Sequence, residues 1–304
     1  NIMKLLIIGG TGFIGKNLKE YFNKQGEISV YSPTRQELNL VDDIACMDYI
    51  KSLKPDIVIH SAVQIDSLEN SLKAFYNIYN THEYFGHMIQ IGSGSEYDRR
   101  CYEPRINETP FFKSIPVDTY GLTKFSIATV LENTLNKKFT NLRCFGVFGK
   151  YEDYSRRFIS NNICNTIAGL PISLNRDMLF DYIWVEDFAK FTHSIFDKLP
   201  LPSVSYNFCS GNPVSLLSLA KIIKKLMNTE MKIQVKNSGM NKEYSGDPSK
   251  LFNEVGNFEF TAFEDSIKSL VEFYQNNFTT EDIKKFKEIS EQQVNIIRTS
   301  SVAK

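Results

Sequence analysis

Neither sign of charge prevails in this sequence: 35 Lys and Arg balance 35 Asp and Glu, a formal net charge of +0 over 304 residues. A balanced chain has no long-range pull toward nucleic acid or anionic lipid. Neither is expected as a partner, although neutrality still allows a small basic pocket for a phosphorylated ligand. No stretch approaches the roughly 18 apolar residues of a membrane span, so no membrane association is expected. Asn1-Ile2-Met3-Lys4 runs straight into a strand-like segment, from which no signal peptide is expected. Cysteine is scarce: Cys46, Cys101, Cys144, Cys164 and Cys209 are scattered, odd in number and without CxxC spacing. That pattern reads as reduced thiols with packing roles in a cytoplasmic protein. The 4 histidines form no HxxH or HxxxH pair, so no metal site is expected.

What is present alternates. Lys4–Ile8, Ser29–Tyr31, Asp56–His60, Met88–Ile91 and Thr140–Phe145 read as strands, most of them apolar throughout. Between them Lys16–Lys24, Ile44–Ser52 and Tyr120–Leu135 read as helices. The expected fold class is therefore α/β, a doubly wound parallel Rossmann sheet. Beyond Gly149 short apolar pieces mix with helices near Arg157–Ala168, Leu216–Leu226 and Phe263–Gln275, which reads as a smaller mixed α/β lobe. The expected division is a dinucleotide-binding domain over 1–149, with a return segment near 178–210, and a substrate-binding lobe over 150–304. Thr279–Lys304, polar and charged, reads as a surface helix and a frayed tail.

Gly9-Gly10-Thr11-Gly12-Phe13-Ile14-Gly15 follows the first strand and opens a helix. Gly9 suits a tight turn, Gly12 lets backbone approach a pyrophosphate, and Gly15 lets helix and strand pack closely. The helix N-terminus adds free N–H groups and partial positive charge. The strand–loop–helix context favours a dinucleotide site over a plain glycine-rich turn. NAD sites usually carry an Asp or Glu after the second strand for the ribose 2′-hydroxyl. Here Ser32-Pro33-Thr34-Arg35 stands instead, and a guanidinium can hold a 2′-phosphate. NADP is the expected cofactor, with NAD as alternative through Glu37.

Tyr120 and Lys124 open another helix, four residues apart on one face. An ammonium beside a phenol favours the phenolate, which suits acid–base work. By itself this spacing is more often a surface pair; behind a dinucleotide loop the catalytic reading gains. Ser93, in Ile91-Gly92-Ser93-Gly94-Ser95, follows a strand end, where a hydroxyl can meet a substrate carbonyl. A small-residue turn is the plainer reading.

Together Gly9–Gly15, Ser93, Tyr120 and Lys124 resemble the extended short-chain dehydrogenase/reductase superfamily. Asn141–Gly149, Phe180–Asp187 and Tyr206-Asn207-Phe208 before Gly211 add to the resemblance, which runs from about Lys4 to Phe278. It implies a Ser93–Tyr120–Lys124 triad, with cofactor contacts at Gly9, Gly12, Phe13, Ile14, Gly15, Ser32, Arg35, Ala62 and Lys124. It also implies a nucleotide-diphosphate sugar as substrate and a homodimer. Thr34–Asp42 is similar to the matching stretch of the GDP-fucose synthase-like 4-keto reductases. Their two epimerising groups, a Cys and a His, fall at Ser95 and near Arg157 here, and neither replacement titrates near working pH. The carboxyl pair of the 4,6-dehydratases is missing at Gly94-Ser95. An Arg that often grips the pyrophosphate is replaced by Phe180, leaving Arg156, Arg157 or Arg176 for that task. Ser61–Gly92 looks short, as if a substrate-facing loop and helix were reduced. The resemblance thus implies an NADPH-dependent 4-keto reductase of a nucleotide-linked deoxy sugar that does not epimerise C3 or C5, with Ser95, Arg157 and Arg176 on the substrate side. An NAD-retaining epimerase or dehydratase is the enzyme alternative. A non-catalytic NAD(P)-binding sensor is the other, and retention of Ser93, Tyr120 and Lys124 argues against it.

Overall fold

Segments such as Leu5–Ile8 and Ile57–His60 are buried at nearly every position, and such runs suit strands covered on both faces. In the computed structural model, which describes residues 2–64 and 67–302 with side chains through 292, they form the middle of a parallel sheet. Its strands are β1 (Met3–Ile8), β2 (Ile28–Tyr31), β3 (Ile57–His60), β4 (His87–Ser93), β5 (Phe139–Cys144) and an edge strand, Ser205–Phe208. The order is Ser205–Phe208, β5, β4, β3, β1, β2. Every pair is parallel, and one rung runs Ile8, His60, Gln90, Asn141, Ser205.

Alternation along β1 sends Leu5 and Ile7 to one face and Leu6 and Ile8 to the other. The first pair joins a cluster with Leu18 and Phe22 of α1 (Phe13–Phe22) and with Phe188 and Phe191 of the helix Val185–Ser194. The second joins Cys46 and Ile50 of α2 (Asp43–Leu53), Phe75 and Ile78 of α3 (Leu68–Tyr79), and Ile127 and Leu131 of α4 (Thr119–Asn133). Helices therefore cover both faces, and the doubly wound α/β architecture read from the sequence is what the chain adopts. β2 and β3 flank β1 on opposite sides, so the chain switches direction at the loop after β1, where open α/β sheets bind ligands.

The chain divides into two compact units. The first comprises Asn1–Val147, Asp181–Pro213 and Glu243–Phe260; the second, Phe148–Phe180, Val214–Lys242 and Thr261–Lys304. The second is built on the helices Phe158–Ile167, Leu216–Met227, Phe263–Asn277 and Thr280–Val302. Its aromatic core includes Tyr154 against Tyr274, Phe278 and Phe286. Among the described residues no helix is long and apolar enough to cross a membrane.

Three local features differ from the sequence reading. Helix α1 starts at Phe13 rather than Lys16, because Gly12 is already its N-cap. The Ser61–Gly92 stretch carries the 12-residue helix α3, not read from the sequence, with Ser67 capping it through the amide of Asn70. Glu243–Phe260 belongs to the first unit although it lies deep in the C-terminal half. Residues 303 and 304 of the expected frayed tail lie outside the described residues.

Candidate active site

The glycine loop after β1 fits a dinucleotide by exclusion of side chains. Gly9 has φ +84°, and a Cβ there would stand 2.7 Å from the backbone nitrogen of Ala62. Only glycine takes that conformation and closeness without cost. At Gly15 a Cβ would lie 2.1 Å from the Gly9 carbonyl oxygen, so α1 is drawn tightly against the loop. Gly12 differs: a Cβ would meet nothing closer than the Gly9 oxygen at 3.5 Å. Gly12 caps α1 without any side-chain hydrogen bond, leaving the first amides, at Phe13 and Ile14, for an anionic ligand. These residues fit the phosphates of a nicotinamide dinucleotide.

Ser32, just past β2, adjoins the loop, since a Cβ on Gly10 would fall 1.8 Å from its hydroxyl oxygen. Arg35 is exposed on the following turn, with no ion pair among the described residues. Glu37 accepts from the Thr34 amide at 2.6 Å, and that backbone hydrogen bond is the first cause of its lowered pKa. The carboxylate that could have served a ribose hydroxyl thus closes its own turn.

Ser93 ends β4 and caps the short turn Gly94–Glu96. Its Oγ accepts from the Ser95 amide at 3.0 Å, while Glu96 Oε1 accepts from the Ser93 amide at 3.0 Å. The Ser93 hydroxyl accepts in that bond and keeps its own proton to donate. Asp118 caps α4 by accepting from the Gly121 amide at 2.8 Å. A Cβ on Gly121 would sit 2.8 Å from the Ser95 carbonyl oxygen, so the first turn of α4 lies directly on the Ser93–Ser95 segment. The half-buried Tyr120 precedes Gly121 in that turn. One turn on, Lys124 is 3% exposed, donates to the Ile91 carbonyl at 2.7 Å and lies 5.8 Å from the centre of the Tyr120 ring. Its charge is felt by His60 at the end of β3: burial first, then Lys124, brings that imidazole down to about 4.

Under this corner lies an ion pair that local patterns do not reveal. Arg143 of β5 and Glu96 are 0% and 1% exposed, with Nε to Oε2 at 2.5 Å. Asn141 donates to the same carboxylate at 3.2 Å. The guanidinium also donates to the Tyr97 hydroxyl at 3.3 Å and to Glu132 at 3.2 Å, and lies 4.2 Å from the centre of the Phe111 ring. Burial pushes the Glu96 carboxyl up and Arg143 pulls against it. The only available signal was a lone charge, Arg143, in a strand otherwise suited to burial. Tyr244, whose hydroxyl reaches Gly94, carried no signal at all.

The other titratable candidates are spent or distant. His87 begins β4 while Ser93 ends it, about 20 Å away by strand rise. His82, on the turn before β4, engages the Tyr79 carbonyl at 3.2 Å. Cys144 and Cys209, at the ends of β5 and of the edge strand, are buried, and burial pushes both thiols far up. Of the proposed substrate-side arginines, Arg157 is exposed and precedes the helix Phe158–Ile167, and Arg176 is half-buried beyond Ser173–Leu174; both belong to the second unit. Arg156 pairs with Asp153 at 3.4 Å on the surface.

The sequence pattern of the NAD dependent epimerase/dehydratase family matches residues 5–207, well over half of the chain. The chain belongs to that family. Among its relatives, GDP-6-deoxy-D-talose 4-dehydrogenase of Aggregatibacter actinomycetemcomitans is 25% identical over 300 residues, covering 90% of this chain and 98% of that protein. Among solved structures, a GDP-L-fucose synthetase from Naegleria fowleri superposes with a TM-score of 0.79 at 17% identity, covering 91% of this chain and 94% of that one. The GDP-mannoheptose C4 reductase of Campylobacter jejuni, solved with NADP bound, gives 0.75 at 19% identity, covering 90% and 98%. The family match bears out the resemblance read from the motifs, and the superpositions show that the chain shares its fold with these enzymes.

Proposed function

We propose that this member of the family is an NADPH-dependent reductase of the 4-keto group of a nucleotide-linked deoxy sugar, acting without inversion at C3 or C5. The observation that carries the reading is that buried Lys124, 5.8 Å from the centre of the Tyr120 ring, lies on a helix packed against the turn after Ser93, while the histidines of the same unit and the thiols of Cys144 and Cys209 are buried, engaged or remote. Gly9, Gly12, Phe13, Ile14, Gly15 and Ala62 would hold the dinucleotide. Ser32 and Arg35 would take its 2′-phosphate, a role supported by the engagement of Glu37 in its own turn. When bound, a reduced nicotinamide supplies a hydride to the ketone carbon. Ser93 donates a hydrogen bond to the ketone oxygen, and Tyr120 delivers the proton that completes the alcohol. Lys124 presents its charge beside the phenol and keeps it there through the Ile91 carbonyl. The Aggregatibacter relative is named for oxidation at C4 of a GDP-linked 6-deoxyhexose, and ketone reduction is that chemistry reversed. 6-Deoxy-D-talose and 6-deoxy-D-mannose differ only at C4, so a reaction between them through the ketone needs no epimerisation elsewhere.

Inversion beside a carbonyl requires one group to remove a carbon-bound proton and another to return it on the opposite face. Ser95 and Arg157 are poor candidates for either task, and Glu96 is committed to Arg143. The test is NADPH oxidation against nucleotide 4-keto-6-deoxy sugars in deuterated water. Stoichiometric NADPH consumption, with no deuterium at C3 or C5, is expected. Purification with NAD bound, and turnover without added cofactor, would instead identify an epimerase.

A further inference from the structure

We propose that Gln90 and His60 are positioning residues for Lys124, holding between them one water molecule that the ammonium also contacts. The inference rests on the reading of Lys124 as the partner of Tyr120, but the place of the water rests on separate observations. Gln90 of β4 and His60 of β3 are register partners on parallel strands, so their side chains lie side by side on one face. It is the face that α3 and α4 cover. Met88, two residues before Gln90, shares a core with Ile127 and Leu131 of α4, and the His60 ring meets that of Phe75 of α3 at 6.0 Å. Lys124 reaches the same spot from α4. Its Nζ donates to the Ile91 carbonyl at 2.7 Å, and Nε2 of Gln90 donates to that same oxygen at 3.3 Å. Ammonium and amide are thus gathered on one atom.

Their hydrogen-bonding deficits are complementary. Gln90 is 1% exposed and His60 0%, yet Gln90 Oε1 and both ring nitrogens of His60 have no hydrogen-bond partner. Buried polar atoms in that state are uncommon. Lys124 carries three N–H groups, of which the Ile91 carbonyl takes one. Burial first, then the Lys124 charge, keeps the imidazole neutral, and a neutral ring has one N–H and one bare nitrogen. The Ala74 carbonyl of α3 draws on the ring without hydrogen-bond geometry, which suits it to the N–H side. The bare nitrogen is then an acceptor. A water that accepts from Nζ and donates to Gln90 Oε1 and to that nitrogen makes three hydrogen bonds, about the usual number for a buried water. An ammonium on a flexible four-carbon stem pivots about a single contact. Two contacts fix it and leave the third N–H for the site.

Gln90→Leu keeps the volume and removes the acceptor. Because it also removes a buried polar group, its melting temperature should equal or exceed that of the wild type. Turnover of the nucleotide 4-keto sugar should nevertheless fall about three- to tenfold, as for one lost hydrogen bond, with KM for that sugar unchanged. His60→Leu should do likewise, and His60→Gln, which retains an acceptor, should recover most of the loss. In the Lys124→Met background Gln90→Leu should cost nothing more, since it acts through the ammonium. Unchanged turnover in Gln90→Leu, or a loss that adds fully to that of Lys124→Met, would overturn the assignment. Crystal structures of the wild type and of Gln90→Leu, fine enough to show ordered water, judge the site without activity. A water bonded to Gln90, His60 and Lys124 is expected in the first, and in the second its loss, with Lys124 Nζ displaced from the Ile91 carbonyl. No water at that place in the wild type, or an unmoved ammonium in the variant, would refute the proposal. A wild type that oxidises NADPH with no 4-keto sugar sinks the reductase reading and leaves the two structures to decide this one.

Discussion

The Glu96–Arg143 pair makes a demanding test of how the Ser93 turn is held. Both side chains are buried at a 2.5 Å contact, so removing one leaves the other charged in a low-dielectric interior. Such half-deletions cost about 3–5 kcal/mol, whereas replacing both partners by groups of similar size is often close to neutral. Arg143→Met should therefore destabilise by several kcal/mol, although methionine still fills the space beside Phe111. Glu96→Gln should do the same while keeping an oxygen that can accept from the Ser93 amide. The double variant should recover most of the loss, for a coupling energy of roughly 2 kcal/mol or more. Urea unfolding of the four proteins, followed by circular dichroism, gives the cycle. Single losses under about 1 kcal/mol, or strict additivity, would refute the view that this pair is one energetic unit. The double variant also separates fold from chemistry. The glutamine side-chain oxygen still accepts from the Ser93 amide, so its turnover should stay near that of the wild type.

Tyr120→Phe should lower turnover by roughly a hundredfold or more with NADPH affinity unchanged by fluorescence titration; comparable activity would remove Tyr120 from the mechanism. Lys124→Met should impair both turnover and cofactor binding, and loss of neither would leave its buried position unexplained by function. Arg35→Ala should cut the preference for NADPH over NADH about tenfold or more, as for one charged hydrogen bond of about 1.5–3 kcal/mol; tighter NADH binding by the wild type would reverse the cofactor assignment. In the second unit, burial, opposed by the Ser160 hydroxyl, raises Glu152 to about 7. Between the ordinary carboxylate range near 4.3 and that value, the folded chain keeps a proton the unfolded chain has lost. Stability therefore falls as pH rises across this window and levels off above it. Glu152→Gln should flatten the melting temperature between pH 5 and 7, and an unaltered slope would show that other groups set it.

Much of the sheet was legible because its strands are short apolar runs and its turns carry glycine. The predicted Met88–Ile91 strand became His87–Ser93, and Tyr120–Leu135 became Thr119–Asn133, with Asp118 supplying the cap. Tyr120 and Lys124 were readable because helical spacing is local. What escaped depends on contacts between residues far apart in sequence. Glu96 meets Arg143 across 47 positions, and Tyr244 reaches Gly94 from a segment with no apolar periodicity. Helix α3 also went unread, although it contributes Phe75 and Ile78 to the core from 12 residues.

On the proposed reading, the charges beneath the site bear on how a ketone would be reduced there. Lys124 and Arg143 are both buried cations, and Glu96, the fully buried carboxylate between them, is engaged by Arg143. Lys124 is tied to a carbonyl instead, which orients an ammonium without neutralising it. Lys124 thus supplies positive charge at the carboxyl edge, and it adds to burial, the larger cause, in holding the His60 imidazole neutral. Fixed positive charge in a water-poor corner favours any step that places negative charge on an oxygen. Hydride addition to a ketone and enolate formation both do so. Only the second also needs a group to take a proton from carbon and another to return it on the opposite face. In the first unit the imidazoles and the thiols at the strand ends are unsuited to that shuttle, by burial, by engagement or by distance. The same electrostatics would serve either reaction, and on the reading proposed above Tyr120 would be the single proton donor for hydride addition.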